Sequence, residues 1–216
     1  MSPVLKNNRT DGKGLSKPEI LAKAWLIVNA GSEITAGILG GTIYYLLSTG
    51  LIRKAIIEVR EKFGKESGIT AQLPYLLACL WEAHRMYPAG VVGQAVDVPP
   101  QGAAICECWI PGNTGIRDNQ CASYRSKTMF KNPDDYIPER WFGDSKYASD
   151  QRTVFQPFAY GARNCISKGL ANMEIRLVVA RMIWNFDMEL GKETGPDWDD
   201  QKGYMTWAEE ATYHQV

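Results

Sequence analysis

Neither sign of charge is in excess: 24 lysines and arginines balance 24 aspartates and glutamates. Nucleic-acid-binding chains normally carry a basic surplus, so nucleic acid is not the expected partner. Zinc-type C-x-x-C spacing is missing as well. The five cysteines, at 79, 106, 108, 121 and 165, are odd in number. Such usage suits a reducing, intracellular setting better than a secreted disulfide scaffold. The polar opening from Met1 to Glu19 has no apolar stretch of the kind a signal peptide needs, so none is expected. There is no internal repeat, and no linker clear enough to split the chain. Residues 1–216 are therefore expected to form one unit, with 1–17 as a flexible polar lead.

What is present is ample core material. Hydrophobic residues make up 45% and aromatics 11% of the chain. Ser16, Lys17 and Pro18 read as a helix start, since Ser suits the N-cap and Pro the first turn. That helix is expected to run to about Leu47. Its stretch from Ala24 to Leu47 holds a single charge, Glu33, and is long enough to cross a bilayer. An acid at that depth is costly in lipid, so a buried core helix is the preferred reading and a single-span membrane protein the lesser one. A second helix is expected over Leu51–Phe63, with Ile52, Ile56, Val59 and Phe63 on one face, and a loop over Gly64–Gly68. A third is expected over Leu73–Tyr87, stopped by Pro88. Ala103 to Ile110 reads as one strand, which would put Cys106 and Cys108 on the same face. An irregular but tethered loop covers 131–150. A last helix is expected from Ser167 to Phe186, with Leu170, Met173, Leu177, Val178 and Ile183 as its apolar stripe.

The residues Phe158-Ala159-Tyr160-Gly161-Ala162-Arg163-Asn164-Cys165-Ile166 stand directly before that last helix. A cysteine at a helix start meets unpaired N–H groups and the positive end of the dipole, which favour its thiolate. A thiolate is a strong, soft ligand to haem iron. Gly161 frees the backbone where a Cβ would obstruct it, and Arg163 can meet a carboxylate with both arms of its guanidinium. The spacing F-x-x-G-x-R-x-C resembles the haem-binding loop of the cytochrome P-450 family. Two further segments resemble that family in the same order: Glu82-Ala83-His84-Arg85 matches E-x-x-R, and Pro138-Glu139-Arg140-Trp141 matches P-E-R-[FW]. Ala30-Gly31-Ser32-Glu33-Ile34-Thr35 is similar to its oxygen-activation motif, with Ile34 where the family has Thr.

The resemblance implies a mainly α fold with small β-sheets, specifically a truncated cytochrome P-450 fold from the oxygen-binding helix onward. It implies haem as cofactor, with Cys165 as axial metal ligand, Phe158 packed near the sulfur, Gly161 shaping the loop and Arg163 on a propionate. Glu82, Arg85 and Arg140 would form a buried charged triad, while His84 would be structural or exposed. Glu33 and Thr35 would serve proton delivery as the catalytic pair, although Thr35 sits about 100° round the helix from Ile34. Ser167 stands where the family usually has Gly, and neither Val96 nor Asn119 matches the basic residues of fungal members. The implied activity is haem-dependent monooxygenation of a lipophilic small molecule, in fungal secondary-metabolite biosynthesis. Electrons would come from NADPH through a flavoprotein reductase, with Lys168 in a possible docking patch. Family members are usually anchored to the endoplasmic reticulum; this sequence leaves localisation open. The competing expectation is a truncated, catalytically inactive remnant with weak or no haem binding.

Overall fold

The computed structural model describes residues 14–62, 72–93, 95–192, 194–195, 198, 201–203, 206–207 and 214–215. Residues 1–13 of the expected flexible lead, Phe63 and the loop expected over 64–68 lie outside them.

Helix α1 (Lys17–Ser48) begins as the sequence dictates. The Ser16 hydroxyl accepts from Glu19 N–H, and the Glu19 carboxylate accepts from Ser16 N–H at 2.7 Å, a reciprocal cap. Thirty-two residues make it about 48 Å long. It ends at Gly50, whose φ of +70° is the left-handed stop that glycine adopts without strain. The helix is only half a core helix. Gly37, Ile38 and Gly41 through Leu46 are buried, whereas Leu21, Trp25, Leu26, Ile27 and Val28 are exposed. This corrects the expectation of a helix buried along its length. It is also long and apolar enough to cross a bilayer, by length and composition.

Helix α2 (Ile52–Lys62) buries Ile52 and Val59 of its expected face, together with Ala55, while Ile56 is half-buried. Helix α3 (Pro74–Met86) opens with proline in its first turn and has no cap from its own N-terminal side chain. Glu58 of α2 supplies one instead, accepting from the N–H groups of Tyr75 at 3.0 Å and Leu76 at 2.9 Å. Helices α1, α2 and α3 pack on one another and on the last helix, α5 (Lys168–Asn185). Ile38, Ile43, Leu46, Val59, Leu76, Ala83, Val179 and Ile183 lie in that shared core. Gly41 allows the closest crossing: a Cβ there would come within 2.9 Å of the Tyr87 ring.

On α5 the buried residues are Ile175, Val179, Ala180 and Ile183. The expected stripe is thus corrected, since Leu170 and Met173 are exposed. The N-terminal halves of α1 and α5 both carry apolar side chains that no neighbour covers among the described residues, while their C-terminal halves are core.

Among the described residues the β-structure is three two-stranded antiparallel ladders and one isolated bridge, Gly203–Trp207. Strand β1 (Val96–Asp97) pairs β4 (Gly115–Ile116), β2 (Ala103–Ile105) pairs β3 (Cys108–Ile110), and β5 (Glu189–Leu190) pairs β6 (His214–Gln215). The single strand expected over 103–110 is a hairpin. Cys106 and Glu107 form its turn with φ of +48° and +65°, so Cys106 and Cys108 do not share the face of one strand. Both signs suit the primed turns that match strand twist. Between β4 and α5 run a short helix, α4 (Gln120–Tyr124), and a series of 3₁₀ turns, the largest being Pro138–Phe142. Buried Phe130, Tyr136 and Tyr147 pin this irregular stretch.

Candidate metal centre at Cys165

Cys165 lies three residues before α5, at the mouth of the helix rather than in its first turn, and its carbonyl accepts from Lys168 N–H at 3.3 Å. The loop before it closes on itself. The N–H of Cys165 donates to the Phe158 carbonyl at 2.9 Å, and that of Asn164 to the Gly161 carbonyl at 3.1 Å. Ala159 and Gly161 turn the chain with φ of +59° and +85°. Cys165 is half-buried, and none of the five cysteines is in a disulfide. Its sulfur lies 3.3 Å from the Ser167 hydroxyl.

Phe158 ties this loop to the core. Its ring packs against His84 of α3, centroids 5.8 Å apart, and the Lys168 ammonium also lies 5.8 Å from its centre. His84 is buried, contrary to the option of an exposed residue, and its Nδ1 meets the Leu80 carbonyl at 2.8 Å. Burial pushes its pKa down to about 4, so the ring is neutral at physiological pH. The neutral ring then donates from Nδ1.

Below the loop sits a buried charged network. Glu82 accepts from Arg85 (2.8 and 3.1 Å), from Arg140 Nε (3.0 Å), from Trp141 Nε1 (2.9 Å) and from Ile137 N–H (2.9 Å). Arg85 also donates to the carbonyls of Tyr124, Pro133 and Asp135, and Arg140 to those of Lys131 and Asn132. Asp150 was not legible as a member. Its carboxylate pairs with Arg140 Nη1 at 2.5 Å and accepts from Lys131 N–H. Its presence is physically sensible: two guanidiniums buried with one carboxylate would leave an uncompensated charge, and the second carboxylate cancels it. The guanidiniums stitch the irregular 124–137 stretch to α3, and Trp141 and Tyr124 in turn pack on Phe155 just ahead of the Cys165 loop.

The remaining predicted residues lie apart. Glu33 and Ile34 are exposed on α1 and Thr35 is half-buried. The helix runs unbroken through all three, so no local rewinding carries Thr35 to where Ile34 points. A Cβ on Gly31 would meet nothing within 4 Å, so the space beside this segment is open. Among the described residues no hydrogen bond joins Glu33 or Thr35 to the Cys165 loop. Arg163 is exposed, and Asn119 caps α4 by accepting from Ala122 N–H at 3.0 Å. The cleft lined by Tyr44, Tyr45, Asp134 and Asp135 at the far end of α1 holds none of the predicted site residues.

The donor set fits a haem. Among the described residues no cluster of three or more His, Cys, Asp or Glu side chains is placed to hold a bare ion. A porphyrin brings its own ring of nitrogen donors and needs from the protein one axial sulfur and an apolar bed. Cys165 offers the first. Phe158, Ile166 (98% exposed) and Leu170 offer uncovered apolar surface beside it.

Comparison with known proteins agrees with this reading of the fold. A family model described as Cytochrome P450 matches residues 2–215. The chain is 43% identical over 212 residues to the Cytochrome P450 monooxygenase atr2 of Stereocaulon alpinum, covering 96% of this chain and 41% of that protein. It is 40% identical to the Trichothecene C-4 hydroxylase of Trichoderma arundinaceum, covering 94% of this chain and 43% of the other. The chain thus spans about two fifths of the length of these curated relatives. Among solved structures, a zebrafish cytochrome P450 with abiraterone superposes with a TM-score of 0.77 at 23% identity, covering 97% of this chain and 49% of that one. A retinoic-acid-bound cyanobacterial CYP120A1 gives 0.74 at 23% identity, covering 88% and 44%. The helix-rich architecture with small sheets is the one these structures share, and the chain belongs to the cytochrome P450 family.

Proposed function

We propose that this chain carries the haem-holding part of a monooxygenase that oxidises a lipophilic small molecule in secondary-metabolite biosynthesis, with Cys165 as the axial thiolate. The single observation that carries the reading is the Cys165 loop. One free, half-buried thiol stands at the mouth of α5, beside open apolar surface, in a chain of this family.

When bound, haem supplies the activation of dioxygen, drawing on electrons from NADPH through a flavoprotein reductase. The protein's share is positional. Phe158 holds the loop against α3 by its ring and holds Cys165 by its carbonyl. Gly161 lets the loop turn, and Arg163, exposed on the same loop, is the cation available to a propionate. The buried Glu82–Arg85–Arg140–Asp150 network keeps the preceding irregular stretch fixed beneath the loop. Glu33, exposed on α1, collects a proton from water at its carboxylate and hands it inward. Ile34 has no hydroxyl to pass that proton on, and the unbroken helix leaves Thr35 about 100° round from it, so delivery by Glu33 and Thr35 would be slow. Lys168 lies at the loop surface, where a reductase bearing carboxylates would meet it, and its ammonium also rests near the Phe158 ring.

The test is optical. The haem-loaded, reduced protein exposed to carbon monoxide gives the red-shifted Soret band of a thiolate-ligated haem, and Cys165→Ala loses it. A wild-type chain that takes up no haem would overturn the reading and leave the inactive remnant.

A further inference from the structure

Ser167 is the N-cap of α5, yet its hydroxyl makes no hydrogen bond to the helix it precedes. Serine is common at this position because its oxygen accepts from an N–H of the first turn. Here the oxygen lies instead 3.3 Å from the sulfur of Cys165, a normal distance for a bond involving sulfur. Between two neutral groups either atom could donate. Once Cys165 is a thiolate the ambiguity ends, since the sulfur then has no proton and the serine hydroxyl is the donor.

We propose that Ser167 is a tuning residue: its hydroxyl hydrogen-bonds the Cys165 thiolate and raises the reduction potential of the iron that the sulfur holds. The inference rests on the proposed role of Cys165. A hydrogen bond to an anion stabilises the state with more negative charge at the sulfur. Reduction of the iron lowers the positive charge that otherwise draws sulfur electron density away. The bond therefore favours the reduced state and weakens the electron donation of the thiolate. Hydrogen bonds to ligating sulfur are an established lever on metal potentials. In the free chain both groups reach water, which competes for the hydroxyl. A haem held by Cys165 would exclude that water and strengthen the bond.

The experiment uses haem-loaded wild type, Ser167→Ala, Ser167→Gly and Ser167→Thr. Haem content and the reduced carbon monoxide spectrum are read first on each. A wild type with haem but no thiolate band defeats the Cys165 assignment, separately from this inference. With that band present, spectroelectrochemical titration gives the potential. Removing the hydroxyl in Ser167→Ala and Ser167→Gly lowers the reduction equilibrium constant about tenfold, which is about 59 mV for one electron, while Ser167→Thr stays at the wild-type value. The C–O stretch of the reduced complex falls in the same two variants, because the unbonded sulfur donates more strongly. Potentials unchanged in Ser167→Ala, or lowered in Ser167→Gly alone, would overturn the proposal, the second because it traces the effect to the backbone. If Ser167→Gly fails to load haem, the Ala and Thr pair decides by itself.

Discussion

The N–H of Cys165 donates to the carbonyl of Phe158, 2.9 Å away, so the sulfur-bearing residue and the ring that anchors the loop are joined through one backbone bond. The six residues between them close the loop through two left-handed positions, Ala159 at φ +59° and Gly161 at +85°. A Cβ on Gly161 would meet nothing within 4 Å, so any cost of adding one is conformational. Gly161→Ala should therefore cost about 1 kcal/mol, seen as a melting point lower by roughly 2–4 °C. Haem retention should fall with it, measured as haem per chain after gel filtration.

His84 supplies the pH dependence. Its folded pKa is depressed by burial from the ordinary 6.5 to about 4. A base depressed on folding is held neutral in the fold and gains protons on unfolding. Its favourable neutral state is fully expressed above pH 6.5, and stability falls as pH drops from there toward 4, where the loss levels off. Across that window the loss is about 3 kcal/mol. The nearby charges on packed elements are Lys168 across the Phe158 ring and the Glu82–Arg85 pair on its own helix. Urea midpoints between pH 7 and pH 4 should fall steeply for wild type and less for His84→Phe, which keeps an aromatic ring against Phe158 without a titrating group.

Breaking the Glu82 network leaves charge buried without a partner. Glu82→Ala leaves Arg85 without a carboxylate and Arg140 with Asp150 alone, and a loss of about 3–5 kcal/mol is expected. Asp150→Asn should be milder, because it keeps the shape and one acceptor oxygen beside Arg140. Equilibrium unfolding of the two variants checks the order, and equal losses would show that Asp150 carries as much of the network as Glu82.

Glu58 reaches from α2 to two N–H groups at the start of α3 that have no partner within that helix. Its carboxylate caps a helix that lacks a capping side chain of its own and also faces the positive end of the dipole. Glu58→Ala should lower stability by about 1–2 kcal/mol, and amide exchange should quicken at Tyr75 and Leu76 before it does elsewhere in α3.

Much of this fold was legible because local rules agreed with packing. Ser16, Lys17 and Pro18 mark the start of α1, its end falls one residue past the expected Leu47, and Ile52 and Val59 lie on the buried face of α2. Motif order brought Glu82, Arg85 and Arg140 to one place. Asp150 was missed because an acid ten residues from Arg140 in a polar loop has no periodic signature. Glu58 was missed because capping from another helix is a tertiary event. The apolar stripe of α5 was misread because Leu170 and Met173 satisfy helical spacing and yet stand exposed, where the helix has left the core. The hairpin at 103–110 escaped because its turn residues, Cys106 and Glu107, are not the usual Asn-Gly pair that announces positive φ.

One bond, from the Cys165 sulfur to iron, decides whether this loop holds the haem. X-ray absorption at the iron edge of the haem-loaded chain reads it without reference to activity. A single sulfur neighbour at bonding distance is expected in wild type, absent in Cys165→Ala. Haem bound at full occupancy with only nitrogen or oxygen around the iron in wild type would contradict it.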